Sequence, residues 1–582
     1  MKNTLKYIAL AAVLVMGASS CEKFLDRPAE DNYNSQNFYQ DADQCIQGVN
    51  YLYNSPWYDA IRGFYRVGEC FAGNYYMGDK NPYMQFTVNG SNDELRDMSY
   101  SLWGVNAHAT TVYNRLKQTT GVDKAVVDMC MGEALTWKAF AYFFLVRSFG
   151  DVPIIHDMNS LIANNSYNSV PKAPKEDVYK YIVMTLEKAL TLLPKKVANK
   201  DGRIDYYSAE ALLAKVYLQK AGVTGTLNQE DLDKAAFYAK DVIQNSGREL
   251  LEVYSDNFRM QNNKNLEALI SWHWDASCQP WTTQNSFQCD IAPKGFDEFA
   301  DTWGQWAGPT IALQDQFHVS ALENPADRHD IDTRRKATML LPGDVCEYLW
   351  TTNGGFDYLR FFYDENYGPS GGSNASEGSL NSPTGAMCVK FLYGDGEDHK
   401  AALGVSAGRM ANGLATHVLR LSDVYLVYCE AKLNGPGTST TDALALECFN
   451  AVRRRAIPSW TDKTSITFED VFKERNLELA LEGDRWYDYV RVGYYNTAFA
   501  VNDIMNQRRN AWDKSLDDAC KAYYNGGAWD MSDIQYDEDE FAPTEAAIIS
   551  KLGSLPFPSE DVVYNQKLDQ DVEPFDFSTV EF

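Results

Sequence analysis

Aromatic rings interleaved with amides and carboxylates form the chemically most suggestive part of this sequence. Trp272, Trp274, Trp281, Phe287, Phe296, Phe299, Trp303 and Trp306 lie within 35 residues, mixed with Asn285, Gln288, Asp290, Asp297 and Gln305. A second group holds Trp57, Tyr58, Tyr65, Phe71, Tyr75, Tyr76, Tyr83 and Trp103, near Asp79, Lys80, Asn81 and Gln85. An indole or phenol ring offers a flat apolar face with a polar tip. That suits a sugar ring, which is apolar on its C–H face and hydroxylated at its rim. The chain is 13% aromatic overall, so most of these rings are expected in the core. Trp303 and Trp306 sit in W-G-Q-W-A-G-P, a glycine-broken run that predicts exposure. Trp281, Tyr75, Tyr76 and Asn81 complete the candidate binding set.

Catalytic motifs are scarce. The sequence has no H-E-x-x-H, no G-x-x-x-x-G-K-[ST] and no EF-hand loop. Its seven histidines are dispersed, which predicts no metal site. Gly368-Pro369-Ser370-Gly371-Gly372 formally fits a nucleophile elbow, but the proline and the Gly/Ser/Asn-rich tract after it read as a loop. Neither an enzyme nor a cofactor is predicted.

Residues 1–20 read as an export signal: Lys2 and Lys6, an apolar run from Tyr7 to Met16, then Gly17-Ala18-Ser19-Ser20 before Cys21. The run is too short to span a bilayer, and its ending on Cys21 predicts a lipoprotein, with residues 21–35 as a tether. Acyl chains on Cys21 would then be the sole membrane attachment. Losing the two lysines takes the net charge from −27 to −29, which argues against nucleic-acid binding. The remaining ten cysteines are scattered without a C-x-x-C pair.

The elements that must position these residues read as mostly α. Glu133 to Phe149 is Ala- and aromatic-rich and stops at Gly150-Asp151-Val152-Pro153. Asp177 to Leu193 is amphipathic. Ser208 to Ala221 and Leu232 to Asn245 look like a tetratricopeptide-type helix pair, although no clean 34-residue repeat is present. Helical patterns return at Val418 to Leu433, Ala443 to Arg455 and from Glu474 onward. No linker divides residues 36–582, which read as a single domain. Its helical scaffold covers mainly 36–250 and 416–500, and its loop-rich variable parts are 251–415 and 501–582.

One further stretch is E-R-N-L-E-L-A-L-E-G-D-R-W-Y-D-Y-V-R, Glu474 to Arg491. Glu474, Glu478 and Glu482 fall at i, i+4 and i+8 on one side of a helix, where they would repel unless cations faced them. Arg453, Arg454, Arg455, Arg475, Arg485 and Arg491 lie close in sequence, so an ion lattice that clamps helices is expected, with Arg485 among its cations.

This stretch resembles a helix of the SusD/RagB family, the surface glycan-binding lipoproteins of Bacteroidetes. Glu133 to Ile155, ending in G-D-V-P, is similar to another helix of that family. So are Leu419 to Asn434, Phe449 to Ala456, the closing L-P-F-P-S-E-D-V-V-Y-N (Leu555 to Asn565) and the opening Cys21 to Asp26. The resemblance implies four tetratricopeptide-like helix pairs in an α–α superhelix with an irregular ligand-binding part. It further implies a non-enzymatic, lipid-anchored protein on the outer face of the outer membrane. Such a protein captures oligosaccharide and delivers it to a TonB-dependent SusC-like transporter; peptide cargo is the alternative. The family's sugar-binding loops follow no fixed motif, so no ligand-binding residue carries over.

Overall fold

The computed structural model describes residues 38–78, 81–275, 284–299, 301–369 and 378–582. Cys21, the signal and tether segments, and Trp281 lie outside the described residues.

Among the described residues the longer scaffold helices are α1 (Asp93–Lys117), α2 (Lys124–Phe149), α3 (Lys175–Leu190), α4 (Tyr206–Lys220), α5 (Gln229–Asn245), α6 (Leu421–Ala431), α7 (Ala443–Ala456), α8 (Phe468–Leu479), α9 (Arg485–Tyr495) and α10 (Thr497–Met505). Their starts follow local capping chemistry. The side chains of Asn92, Asp123, Asp205 and Asn228 accept backbone N–H bonds at the first turns of α1, α2, α4 and α5. Thr467 and Asp470 form a reciprocal capping box on α8. Gly150, at φ +74°, ends α2.

Packing is sequential. α2 lies between α1 and α3, α4 between α3 and α5, and α5 meets α6, which in turn packs on α7 and α8. Every residue of α2 from Cys130 to Phe149 is buried, which explains its lack of a polar face. Between α5 and α6 the chain makes its long excursion. Strands β2 (Ala268–Trp272) and β4 (Thr416–Arg420) close that excursion at its base as an antiparallel pair, with Trp272 opposite Thr416 and Ala268 opposite Arg420. Val418 to Arg420, read above as the start of a helix, are therefore strand. Within the excursion, β3 (Ala307–Pro309) pairs antiparallel with β1 (Tyr75–Met77) from the scaffold.

One apolar core runs from Cys45 to Leu555 through scaffold and excursion alike. Cys45, Cys70, Cys130, Cys346, Cys388, Cys429, Cys448 and Cys520 are free and buried in it, as small apolar side chains, and Cys289 is free and buried outside it. Among the described residues, no helix is long and apolar enough to cross a membrane.

The carboxylates of Glu474, Glu478 and Glu482 are buried and face cations. Arg334 donates to Glu474 (2.7 Å) and Glu478 (2.9 Å), and Arg453 to Glu474 (2.7 Å). Arg420 reaches Glu267 (2.6 Å), Glu478 (3.0 Å) and Glu482 (2.8 Å), while Arg455 reaches Glu267 (2.6 Å) and Glu478. Lys390 completes the set on Glu482 at 2.9 Å. Arg334 and Lys390 come from the excursion and Arg420 from β4, so the lattice clamps loops to scaffold.

Two expectations need correction here. Helix α8 ends at Leu479, and Glu482 enters the lattice from the turn beyond it. Arg485 faces a different carboxylate from the Glu474–Glu482 set, Asp488 at 3.5 Å, with its guanidinium 3.8 Å from the Phe472 ring centroid and a hydrogen bond to the Phe472 carbonyl. Arg475 and Arg491 serve a second cluster with Asp423, Asp488 and Glu430, and Arg454 pairs with Asp462 at the surface.

Candidate functional site

Pairing of β3 with β1 sets Trp306 at the edge of a cavity of about 450 Å³. Gly308 lies opposite Tyr76 and Ala307 opposite Met77, so Trp306 falls beside Gly78. The Trp306 N–H donates to the Asn381 carbonyl at 2.9 Å. Its backbone lies in the left-handed region, φ +65°, a conformation costly for a bulky residue and worth reading as a functional clue. Its side chain points outward, 56% exposed, and no ring contact covers it among the described residues.

Four further segments wall the cavity: Tyr76 and Gly78, Leu380 to Pro383, Ala511 to Ser515, and Asp537 with Glu540. Tyr76 presents its hydroxyl to Glu540, whose other oxygen accepts the Ala511 N–H at 2.8 Å. Trp512 sits deeper, with its indole N–H on the Thr384 carbonyl at 3.1 Å. Asp513 accepts the Gln535 N–H at 2.7 Å. The chain leaving this wall at Pro383 reaches the ion lattice seven residues later, at Lys390.

The candidate residues named from sequence separate. Trp306 and Tyr76 share the cavity. Trp303, 40% exposed, lies outside its lining and is held beside residues 287–291: its indole N–H donates to Asp290 at 2.9 Å and its backbone N–H to the Cys289 carbonyl at 2.9 Å. Arg62 also meets Asp290, at 3.3 Å. Tyr75 faces away. It is buried, packs on Tyr65 and is absent from the cavity lining, because consecutive strand residues point to opposite faces. Asn81 is half-buried, and its side-chain oxygen accepts the N–H of Tyr83 at 2.9 Å and of Met84 at 3.4 Å, a turn-closing role. Trp512, Asp513, Asp537 and Glu540 were not among the candidates. The acidic run at 537–540 was visible in sequence, but nothing local tied it to Trp306.

Two other cavities, of about 490 and 630 Å³, lie at the seam between scaffold and excursion and beside Lys138. The aromatic faces of the first, Tyr53 and Trp274, are 5% and 6% exposed. The second has Lys138 on its wall, where burial lowers the ammonium to about 7. Neither offers an open indole.

Tetratricopeptide-like helix pairs carrying a large irregular insertion define an α–α superhelical class. Within that class the chain belongs to the SusD family, whose model matches residues 252–573. A model described as starch-binding associating with outer membrane matches residues 93–218. A SusD-like protein of Bacteroides ovatus is 29% identical over 99% of both chains. A crystal structure with xylogluco-oligosaccharide superposes with a TM-score of 0.74 at 26% identity, covering 92% of this chain and 99% of the other. A laminarin-binding SusD-like protein gives a TM-score of 0.58 at 22% identity over 90% and 98%.

Proposed function

We propose that this chain is a non-enzymatic glycan-binding lipoprotein of the outer cell surface. It is anchored through lipid on Cys21 and passes oligosaccharide to a TonB-dependent transporter of the SusC type. The observation that carries the reading is the Trp306 indole, more than half exposed and held in a strained backbone at the mouth of a cavity lined by acceptors. An exposed ring stacks on a sugar's C–H face while Asp513, Asp537 and the cavity's hydroxyls take its rim. The oligosaccharide-bound neighbour supports the ligand class, and the family supports the transporter and the anchor.

Calorimetric titration of a form beginning at Glu22 tests it, with laminarin oligosaccharides, xylogluco-oligosaccharides and a peptide digest as probes. Heat from a glycan is expected, and Trp306→Ala should weaken that binding at least tenfold, about 1.4 kcal/mol. Trp303→Ala, outside the cavity, should matter less. Heat from peptides alone would overturn the glycan reading in favour of peptide cargo.

A further inference from the structure

Three carboxylates and one ammonium line the Trp306 cavity: Asp513, Asp537, Glu540 and Lys514. The carboxylates are fixed by the chain itself. Glu540 accepts from the Tyr76 hydroxyl and the Ala511 N–H, Asp513 from the Gln535 N–H, and Asp537 from the Asp539 N–H at 3.0 Å. None of the three is within ion-pair distance of a lysine or arginine among the described residues. Lys514 is tied to the Asp533 carbonyl at 2.9 Å. Arg508, behind Trp512, is already paired with Asp315 at 2.8 Å.

A neutral sugar brings hydroxyl donors, and a carboxylate is an acceptor that strengthens such bonds. A uronate or sulfate group brings negative charge to a wall where three carboxylates, Asp513, Asp537 and Glu540, outnumber the one ammonium, Lys514. Like charges brought close together there repel, and salt screens that repulsion. The wider chain, at −27 overall, adds repulsion at longer range. We infer that the Trp306 cavity takes stretches of uncharged glycan and rejects those carrying uronate or sulfate, an inference that rests on the glycan reading above.

The test offers laminarin oligosaccharides and xylogluco-oligosaccharides in two forms, as such and after oxidation of their free primary hydroxyls to carboxylates. The readout is the ratio of the two affinities in wild type and in the Asp513→Asn/Asp537→Asn double variant, at low and high salt. In wild type the oxidised form should bind at least tenfold more weakly. The ratio should move towards one in the double variant and in 0.5 M salt, where screening acts over only a few ångströms. Equal binding of both forms by wild type would overturn the selectivity while leaving glycan binding intact. So would a ratio that neither the variant nor salt alters, because lost hydroxyl contacts would then be its cause. No heat from any glycan would overturn both readings together.

Discussion

Trp306 stands in a backbone conformation that disfavours it and exposes a ring that burial would favour. A left-handed conformation costs an L-residue roughly 1–2 kcal/mol, and glycine adopts it freely. Trp306→Gly should therefore match or exceed the wild type in stability, by up to about 1 kcal/mol, while losing glycan binding. Urea unfolding and titration of the same preparation would check the pair of effects. A clear loss of stability would mean instead that the ring holds the loop in place. Tyr75 and Tyr76 show how much of the site the sequence could specify at this scale. Both were visible as aromatic, and alternation along a strand allows only one of two neighbours to face a cavity. Choosing Tyr76 required the register with Gly308 and the partner Glu540, more than 450 residues away.

At the level of elements, much of α2 to α7 was legible because hydrophobic periodicity is a local signal. Asn92, Asp123 and Asn228 cap the starts of α1, α2 and α5, yet the apolar pattern alone leaves α1 unread and begins α2 at Glu133 and α5 at Leu232. Gly483 marks a turn in the sequence, but where α8 ends before it was not legible. The i, i+4, i+8 spacing of Glu474, Glu478 and Glu482 suits a continuous helix, yet the helix stops before Glu482. The cause is remote: the buried Glu69 carboxylate accepts the N–H groups of Leu481 (3.2 Å) and Gly483 (2.6 Å). Leu481 and Gly483 both take left-handed backbone, φ +63° and +75°. A methyl group on Gly483 would also overlap the Phe64 ring. Gly483→Ala is thus expected to destabilise by about 1–3 kcal/mol from backbone strain, with more from the clash. It should be visible as a lower urea midpoint. Unchanged stability would show that the turn relaxes without its left-handed geometry. The lattice cations Arg334, Lys390 and Arg420 escaped local reading for the same reason that Trp512 did, since the excursion brings them from far along the chain.

Across the whole molecule, the buried charges set how stability responds to acid. Burial alone would raise Glu478, but Arg455, Arg420 and Arg334 hold it well below the usual carboxylate range. Glu267, Asp484 and Asp488 are also lowered, each against the pull of burial, by arginines or, for Asp484, by Lys215, Arg147 and Arg475. A lowered carboxyl gives stability that is complete above its unfolded value of about 4 and is lost as pH falls towards the folded value. Burial depresses His273 to about 4 and His417 to about 3. They bind fewer protons folded than unfolded below about pH 6.5, so they too lose stability as pH falls. Burial raises Glu69 to about 7, and burial with Asp241 raises Glu210 to about 8. These two act the other way, but only above about pH 4.5, where the unfolded chain has released their protons. Between about pH 4.5 and 6.5 the contributions therefore oppose one another and the unfolding free energy should vary little. Below that window they all point the same way, and stability should fall steeply. Removing one partner of a buried ion pair costs about 3–5 kcal/mol, so Glu478→Gln should be that much weaker at pH 7. The gap from wild type should narrow below about pH 4.5, by at most about 1.4 kcal/mol per pH unit. Urea unfolding of both proteins from pH 7 to pH 3 would measure it. A gap that stays constant to pH 3 would mean that Glu478 supports the fold by its shape rather than by its charge.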